Sequence, residues 1–206
     1  MPDPGPAVTI IRHGETTWSS LGQHTGRTDL ELTETGEAQA RALQPLFAGQ
    51  VFDVVAASPL RRAQRTAVLA GVLPTETLDD LREWDYGDLE GQTTGQIRER
   101  YPDWSIWTGP WPGGETAADV AERTDRVVAW VMRLPREARI ALVAHGHILR
   151  VLGARWAGAE VTTGRMLALD TASVSELGWE HGCPVVRRWN LTVEALTLDA
   201  RPPAAS

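Results

Sequence analysis

The sequence predicts a single α/β domain, a three-layer α/β/α sandwich around a mostly parallel sheet. Three short apolar runs, at residues 7–11, 51–56 and 139–144, are typical of buried strands. Segments with helical periodicity alternate with these runs, and this alternation favours a parallel sheet covered on both faces. The chain has 206 residues, of which 42% are hydrophobic, so it can bury one sizeable core without disulfides.

The N-terminal half shows two helix signals between its strands. A polar loop follows the first strand, and Thr33 then predicts the N-cap of a helix over residues 34–48. After the second strand, Ser58 and Pro59 predict a helix that runs to about Leu73, because serine caps helices and proline is favoured at the first helical position.

The C-terminal half continues the alternation, with proline and glycine marking its loops. We expect residues 201–206, rich in proline and alanine, to be a frayed tail of the one domain 1–206. The segments predicted before it are a loop at 81–91, short helices at 93–108, a loop at 107–114, helices at 116–134 and 148–157, and strands at 167–177 and 185–198.

Charge and composition exclude several classes of function. The net charge of −7 argues against a protein that wraps nucleic acid or that is held to anionic lipid by bulk charge. All 20 basic residues are arginines, so Schiff-base chemistry and a P-loop lysine are excluded. Arginine is also the better bidentate ligand for phosphate or carboxylate.

The remaining bulk features indicate a cytoplasmic protein with no membrane partner. Cys183 is the single cysteine and cannot form an internal disulfide. The first residues lack the basic and apolar regions of a signal peptide, and no apolar run approaches the ~20 residues that span a bilayer. The strands near the C-terminus could pair across a homodimer.

Reactive side chains follow three of the predicted strands. Arg12 and His13 follow the first, Ser58 and Arg62 follow the second, and His145 follows the third. The carboxyl ends of parallel strands share one edge of the sheet, which is where ligands bind in such folds. Arginine forks stabilise the oxygens of a phosphoryl group, and a neutral imidazole can attack its phosphorus. These residues therefore predict a phosphoryl-transfer site.

Four motifs in this order resemble the histidine phosphatase superfamily, the phosphoglycerate-mutase-like proteins, over nearly the whole chain. Arginine–histidine–glycine alone would be a weak signal, whereas four motifs at strand ends are a strong one. They are Arg12-His13-Gly14-Glu15-Thr16, Ser58-Pro59-Leu60-Arg61-Arg62-Ala63, the segment 81–91 around Glu83, and Ala144-His145-Gly146.

The resemblance implies a catalytic role for five residues. His13 would be the nucleophile that becomes phosphohistidine, and Glu83 would be the proton donor. The phosphoryl oxygens would be held by Arg12, Arg62 and His145. No cofactor and no metal is expected, since two adjacent arginines would repel a dication that His13, His145, His147 and Glu83 could otherwise bind by ligand type.

The resemblance also implies further substrate contacts. Gly14 would let the backbone approach the substrate, Thr25 and Gly26 would line the site, and Gly146 belongs to the last motif. Ser19 stands where the family usually has asparagine, so one phosphate contact could be lost or bridged by water.

Other candidates have a structural interpretation that we favour. Arg61 is expected to be a solvated helix residue, and Glu15 to be aimed away from the site by its turn. His147 could support the site but is expected to cap the following helix. His24 and His181 give no signal beyond a surface loop. The tryptophans around residues 84–111 fit core packing, or else an apolar cover over the site.

The functional prediction is a phosphomonoester hydrolase of the acid-phosphatase type, acting on small phosphorylated metabolites. A phosphoglycerate mutase that depends on 2,3-bisphosphoglycerate is the first alternative, and a sugar-bisphosphate phosphatase is the second. Residues 92–115 are too short for the basic insert of mutases and hold only Arg98 and Arg100 as cations. A non-catalytic protein that binds a phosphorylated ligand is the alternative of another class.

Overall fold

The computed structural model describes residues 5–193 as one α/β domain. Within those residues the sheet has six strands, β1 Ala7–Arg12, β2 Val54–Ala57, β3 Glu76–Thr77, β4 Arg139–Ala144, β5 Val174–Glu180 and β6 Cys183–Leu191. Their order across the sheet is β3-β2-β4-β1-β5-β6. The first four in this order run parallel, while β5 and β6 are antiparallel to their neighbours. The predicted mostly parallel sheet is therefore confirmed.

Helices pack against both faces of the sheet. Alternate residues of β4 point to opposite faces, as the pleat requires. Ile140 and Leu142 join one core cluster, and Ala141 and Val143 join the other. The helices are α1 Thr17–Ser20, α2 Glu34–Ala42, α3 Gln44–Phe47, α4 Arg61–Leu69, α5 Thr94–Arg100, α6 Ala117–Val131 and α7 Gly146–Trp156.

The two faces are packed with side chains of different size. On the first face α6 and α7 cover the sheet with valine, leucine, isoleucine and tryptophan side chains. On the second face α2, α3 and α4 cover the sheet, and small residues such as Ala63 and Ala67 are fully buried there. This gives the three layers that the sequence predicts.

Several predicted boundaries are wrong, most clearly around Ser58. The helix α4 begins at Arg61 rather than at residue 58, and Leu60 is its N-cap without a side-chain hydrogen bond. The predicted helix 34–48 is two helices, α2 and α3, with Pro45 near the start of the second. The short elements α1 and β3 lie where only loops were expected.

The predictions near the C-terminus are partly wrong as well. The strand expected at 167–177 begins only at Val174, after a 3₁₀ segment at Val161–Met166. The strand expected at 185–198 spans Cys183–Leu191, and its last predicted residues lie outside the described part, as does the tail at 201–206. No helix in residues 5–193 has the length and apolar character needed to cross a membrane.

Candidate active site

The three neighbouring parallel strands β1, β4 and β2 end at one edge of the sheet. His13 follows β1, His145 follows β4 and Ser58 follows β2. The two imidazole rings meet edge to face, with their centroids 5.1 Å apart. The parallel topology alone brings these side chains together, because their strands are neighbours in the sheet although far apart in sequence.

His13 is buried, with 5% of its surface exposed, and no hydrogen bond to its Nε2 is found among the described residues. Its Nδ1 lies 2.7 Å from the carbonyl oxygen of Gly14, so this nitrogen donates a proton there. Burial lowers the pKa of His13 well below its ordinary value, and the charges of Arg62 and Arg12 lower it further. The ring is therefore neutral, and its Nε2 carries the lone pair that a nucleophile needs.

His145 is neutral too, but both of its nitrogens are engaged. Its Nδ1 accepts a hydrogen bond of 3.0 Å from Nε of Arg62, so Nε2 carries the proton and donates to Oγ of Ser58 at 2.7 Å. Burial is the largest cause that lowers the pKa of His145, followed by the charge of Arg62. Direct donation from His145 to a phosphoryl oxygen would require one of these two bonds to open.

Arg12 presents an unsatisfied donor at the site. Its Nη1 donates to the carbonyl oxygen of Leu169, whereas its buried Nε has no hydrogen-bond partner among the described residues. Burial lowers the pKa of Arg12, and the nearby carboxylate of Glu83 opposes this shift. A buried guanidinium N–H without a partner is costly, and an oxyanion would satisfy it.

Arg62 lies behind the site and holds a loop in place. The side chain is fully buried, and its terminal nitrogens donate to the carbonyl oxygens of Thr25, Gly26 and Thr28. The carboxylate of Glu90 accepts from the amides of Gly26 and Thr28 on the same loop, at 2.9 and 2.7 Å. Together Arg62 and Glu90 fix the position of this loop beside the site.

Glu83 is held by backbone amides on both oxygens. Its Oε1 accepts from the amides of Trp84 and Ile148, each at 2.9 Å, and its Oε2 accepts from the amide of His147 at 2.9 Å. Both lone pairs of Oε1 are thus used, whereas Oε2 keeps one for a proton. The side chain is 7% exposed and lines the same cavity as His13.

A cavity of about 190 Å³ lies at this edge of the sheet. Six predicted site residues line it, namely Arg12, His13, Ser19, Thr25, Glu83 and Gly146. The other four lie behind its surface, and they are Gly14, Gly26, Arg62 and His145. The structure therefore brings the catalytic candidates to one place but separates those that face the cavity from those that support them.

Gly14 and Ser19 make local contacts that the sequence did not predict. A Cβ on Gly14 would lie 2.3 Å from the carbonyl oxygen of Gly36, so only glycine lets the start of α2 approach this position. The hydroxyl of Ser19 bonds to both the amide and the carbonyl of Thr16 in a capping box around α1. This hydroxyl lines the cavity while engaged in that box.

Seven further cavity residues were missed as site residues, and four of them carry an aromatic ring or a guanidinium, namely His24, Tyr86, His147 and Arg150. The predicted capping role of His147 is wrong: its Nδ1 lies 2.6 Å from the hydroxyl of Tyr86. His24 is also not a plain surface residue, since burial lowers its pKa to about 4. Helical spacing could have paired His147 with Arg150, three residues apart on α7, but no sequence signal points to His24.

The favoured structural interpretations of other residues are confirmed. Arg61 is exposed and pairs with Glu31, and the carboxylate of Glu15 accepts from the hydroxyl of Thr33 instead of facing the cavity. Trp84 stacks on Trp111 within the core and does not cover the site.

Among the described residues, no three His, Cys, Asp or Glu side chains are grouped as a metal would require.

Comparisons with known proteins point in the same direction as this geometry. A family model described as histidine phosphatase superfamily (branch 1) matches residues 8–192. An acid phosphatase of Mycobacterium tuberculosis is 43% identical over 200 residues, which cover 96% of each chain. A sedoheptulose 1,7-bisphosphatase of Saccharomyces cerevisiae is 35% identical, over 78% of this chain and 71% of that protein.

Solved structures share the fold. The structure of an open reading frame product from Mycobacterium tuberculosis superposes with a TM-score of 0.88 and 42% identity, covering 91% of this chain and 98% of that one.

Proposed function

This chain belongs to the histidine phosphatase superfamily, and we propose that it hydrolyses small phosphomonoesters through a phosphohistidine at His13. One observation carries the proposal. The Nδ1–H of His13 is held by the carbonyl of Gly14, so the free lone pair lies on Nε2 in the cavity that Arg12 and Glu83 line. This arrangement prepares the imidazole as a nucleophile without a further base.

The first half of the reaction transfers the phosphoryl group to His13. Nε2 attacks phosphorus while the bond to the leaving oxygen breaks, and Oε2 of Glu83 gives its proton to that oxygen. The Gly14 carbonyl stabilises the positive charge that develops on the ring. The guanidinium of Arg12, which lines the cavity, donates to a phosphoryl oxygen, and its charge favours the transition state.

The second half returns the enzyme to its starting state. Water attacks phosphorus, Glu83 takes the proton of that water, and the P–N bond breaks. Inorganic phosphate leaves, His13 is again neutral and Glu83 is again protonated. Arg62 and His145 keep the site in shape through their mutual hydrogen bond of 3.0 Å.

The hydrolase assignment is favoured over the mutase by the segment between Glu83 and α6. Its cations do not face the cavity: Arg98 donates to the carbonyl of Trp104, and Arg100 packs over the ring of Tyr101. A mutase needs cations there to retain a bisphosphorylated intermediate. Likeness to an acid phosphatase supports the same choice, and a sugar bisphosphate remains an alternative substrate through the likeness to a sedoheptulose 1,7-bisphosphatase.

Phosphate release from p-nitrophenyl phosphate tests the proposal. We expect turnover by the wild-type chain and a loss of about 10⁴-fold or more in His13→Ala, because the covalent route is removed. His181→Ala is the matched control, since this exposed histidine lies in the turn between β5 and β6. Brief mixing and acid-free gel analysis should detect phosphohistidine on the wild type and none on His13→Ala.

Three outcomes would contradict the proposal. Binding of phosphate without turnover would make the chain a non-catalytic binder. Conversion of 3-phosphoglycerate into 2-phosphoglycerate in the presence of 2,3-bisphosphoglycerate, at a rate above that of phosphate release, would make it a mutase. Turnover that is lost with a chelator would contradict the metal-independent mechanism.

A further inference from the structure

Arg150 is a cavity residue that the proposed chemistry does not use. It lies on α7, one helical turn after the strand end that carries His145. Its side chain lines the same cavity as His13, Arg12 and Glu83. Neither the attack on phosphorus nor the proton transfer requires this guanidinium, so its presence in the cavity calls for another explanation.

The Arg150 guanidinium is fixed in one orientation. Its Nε donates to the carbonyl oxygen of Gly164 at 3.0 Å, and its Nη2 donates to that of Arg165 at 3.1 Å. Its Cζ lies 4.7 Å from the ring centroid of Trp107, as in a cation–π contact. A planar fork held in this way is pre-organised, so it loses little conformational entropy when it binds an anion.

Arg150 forms no ion pair with the described residues, although the carboxylate of Glu83 in the same cavity attracts its charge. Its hydrogen bonds go to neutral carbonyl groups, and in the described part of the chain no carboxylate lies within ion-pair distance of it. Arg155, one turn later on the same helix, differs in this respect because Asp125 pairs with it at 2.8 Å. A partly buried cation without an ion-pair partner favours the binding of an anion.

Three cavity side chains, His24, Tyr86 and His147, offer hydrogen bonds but carry no charge. Burial lowers the pKa of His24 to about 4 and that of His147 well below its ordinary value, and it raises the pKa of Tyr86. Near neutral pH these three groups are therefore uncharged. The carboxylate of Glu83 attracts the charge of Arg150, but its oxygens accept from backbone amides and it forms no ion pair with Arg150, so the guanidinium keeps an unpaired positive charge.

We propose that Arg150 binds a second anionic group, a carboxylate or a phosphate, on the leaving alcohol of the substrate. This rests on the proposed function and narrows its substrate class to phosphomonoesters that carry such a group. His24 and Tyr86, which line the same cavity, supply hydrogen bonds to hydroxyl groups between the two anions. Neutral monoesters are hydrolysed by the same chemistry but bind without this contact.

Two matched substrate pairs test the inference. 3-Phosphoglycerate differs from glycerol 3-phosphate by a carboxylate in place of a hydroxymethyl group, and fructose 1,6-bisphosphate differs from fructose 6-phosphate by a phosphate. We expect wild-type kcat/KM for phosphate release to be about 10-fold or more higher for the anionic member of at least one pair. The pair that shows the preference identifies the second anion.

Substitution of Arg150 then shows whether this residue causes the preference for the anionic substrate. Arg150→Gln should lower kcat/KM for the preferred anionic substrate by about 10- to 30-fold and that for its neutral partner by less than about 3-fold. Arg150→Lys keeps the charge and should restore part of the preference. Arg155→Gln is the control on the same helix, and it should leave both members of each pair unchanged.

The outcomes separate this inference from the proposed function. Equal kcat/KM within both pairs for the wild type would overturn the inference even if Arg150→Gln fails to fold. Equal losses on both members in a folded Arg150→Gln variant would do the same, since they would mean a structural role for the guanidinium. Absence of phosphate release from every substrate, p-nitrophenyl phosphate included, would instead overturn the hydrolase itself.

Discussion

Two clusters of residues form this cavity and its support, and they come from different parts of the fold. The strand-end cluster, Arg12, His13, Ser58 and His145, lies at the carboxyl ends of three parallel strands, with Arg12 as the last residue of β1 and the others directly after β1, β2 and β4. The α7 cluster, His24, Tyr86, His147 and Arg150, comes from two loops and one helix. The first cluster contains the reacting imidazole, and the second contains a fixed cation and neutral hydrogen-bonding groups.

From this difference we expect the strand-end cluster to carry out the chemistry and the α7 cluster to select the substrate. Side chains at strand ends are positioned by the sheet, whose backbone hydrogen bonds allow little movement. The α7 cluster depends on contacts between side chains, such as the bond of 2.6 Å between Tyr86 and His147. Changes in the strand-end cluster should therefore affect all substrates alike, whereas changes in the α7 cluster should alter the ranking of substrates or local stability.

The largest effect is expected for Glu83→Gln, which removes the proton donor between the two clusters. For glycerol 3-phosphate, kcat should fall by about 10³-fold, because an alkoxide leaves poorly without a proton. For p-nitrophenyl phosphate, the rate of the first turnover should fall by about 10-fold or less, because its leaving group needs no proton, whereas later turnovers lose the base for water on either substrate. Rapid-mixing kinetics of the first turnover with both substrates measure this, and an equal loss on both would argue against the proton-donor role.

Arg12→Lys should lower kcat/KM by about 10²-fold, because lysine keeps the charge but loses the guanidinium N–H groups that face the anion. The factor should be the same for p-nitrophenyl phosphate, glycerol 3-phosphate and 3-phosphoglycerate. Arg61→Lys is the matched control, since Arg61 is exposed and paired with Glu31. A factor that varied strongly between substrates would break the proposed division between the two clusters.

Tyr86→Phe should destabilise the fold by about 1–2 kcal/mol, because it leaves Nδ1 of the half-buried His147 without its partner. Urea unfolding measures this change in the free energy of unfolding. Tyr101→Phe serves as the control, because no hydrogen bond of the Tyr101 hydroxyl is found among the described residues. Equal stability of the two variants would mean that the Tyr86–His147 bond adds nothing.

The smallest effect is expected in the pH dependence of stability. In the folded chain the pKa of His24 is about 4, below the ordinary value of 6.5, so the unfolded chain binds more protons between these values. Stability is therefore lost as the pH falls through this window. His24→Asn removes that contribution, so its urea midpoint should fall less than the wild-type midpoint between about pH 7 and about pH 4.5. A steeper fall in the variant would contradict the pKa direction.

The sequence identified the strand-end cluster well because that information is local. An apolar run predicts a buried strand, the polar residues after it mark the strand end, and parallel strands end at one edge. His13, Ser58 and His145 could be brought together on this reasoning alone. The function of Ser58 could not: a serine before a proline is typical of a helix cap, and only the structure shows its Oγ at 2.7 Å from Nε2 of His145.

Other features of the site depend on contacts that have no local signal. Position 14 requires glycine because the carbonyl oxygen of Gly36 approaches it from another element. Arg62 was expected to hold the phosphoryl group, and its terminal nitrogens instead hold the carbonyls of the loop at residues 25–28. A propensity or a motif does not contain the distance between two segments, so neither arrangement could be read from the sequence.

By itself the sequence determined the α/β class, the mostly parallel sheet and the set of strand ends that carry the reactive side chains, because hydrophobic periodicity and turn residues act over a few positions. Tertiary structure alone decided which of those side chains face the cavity and which support them. It also decided that His24 and Arg150 join the site, since their proximity arises from packing between loop and helix. Packing of that kind depends on side-chain shape across the whole domain.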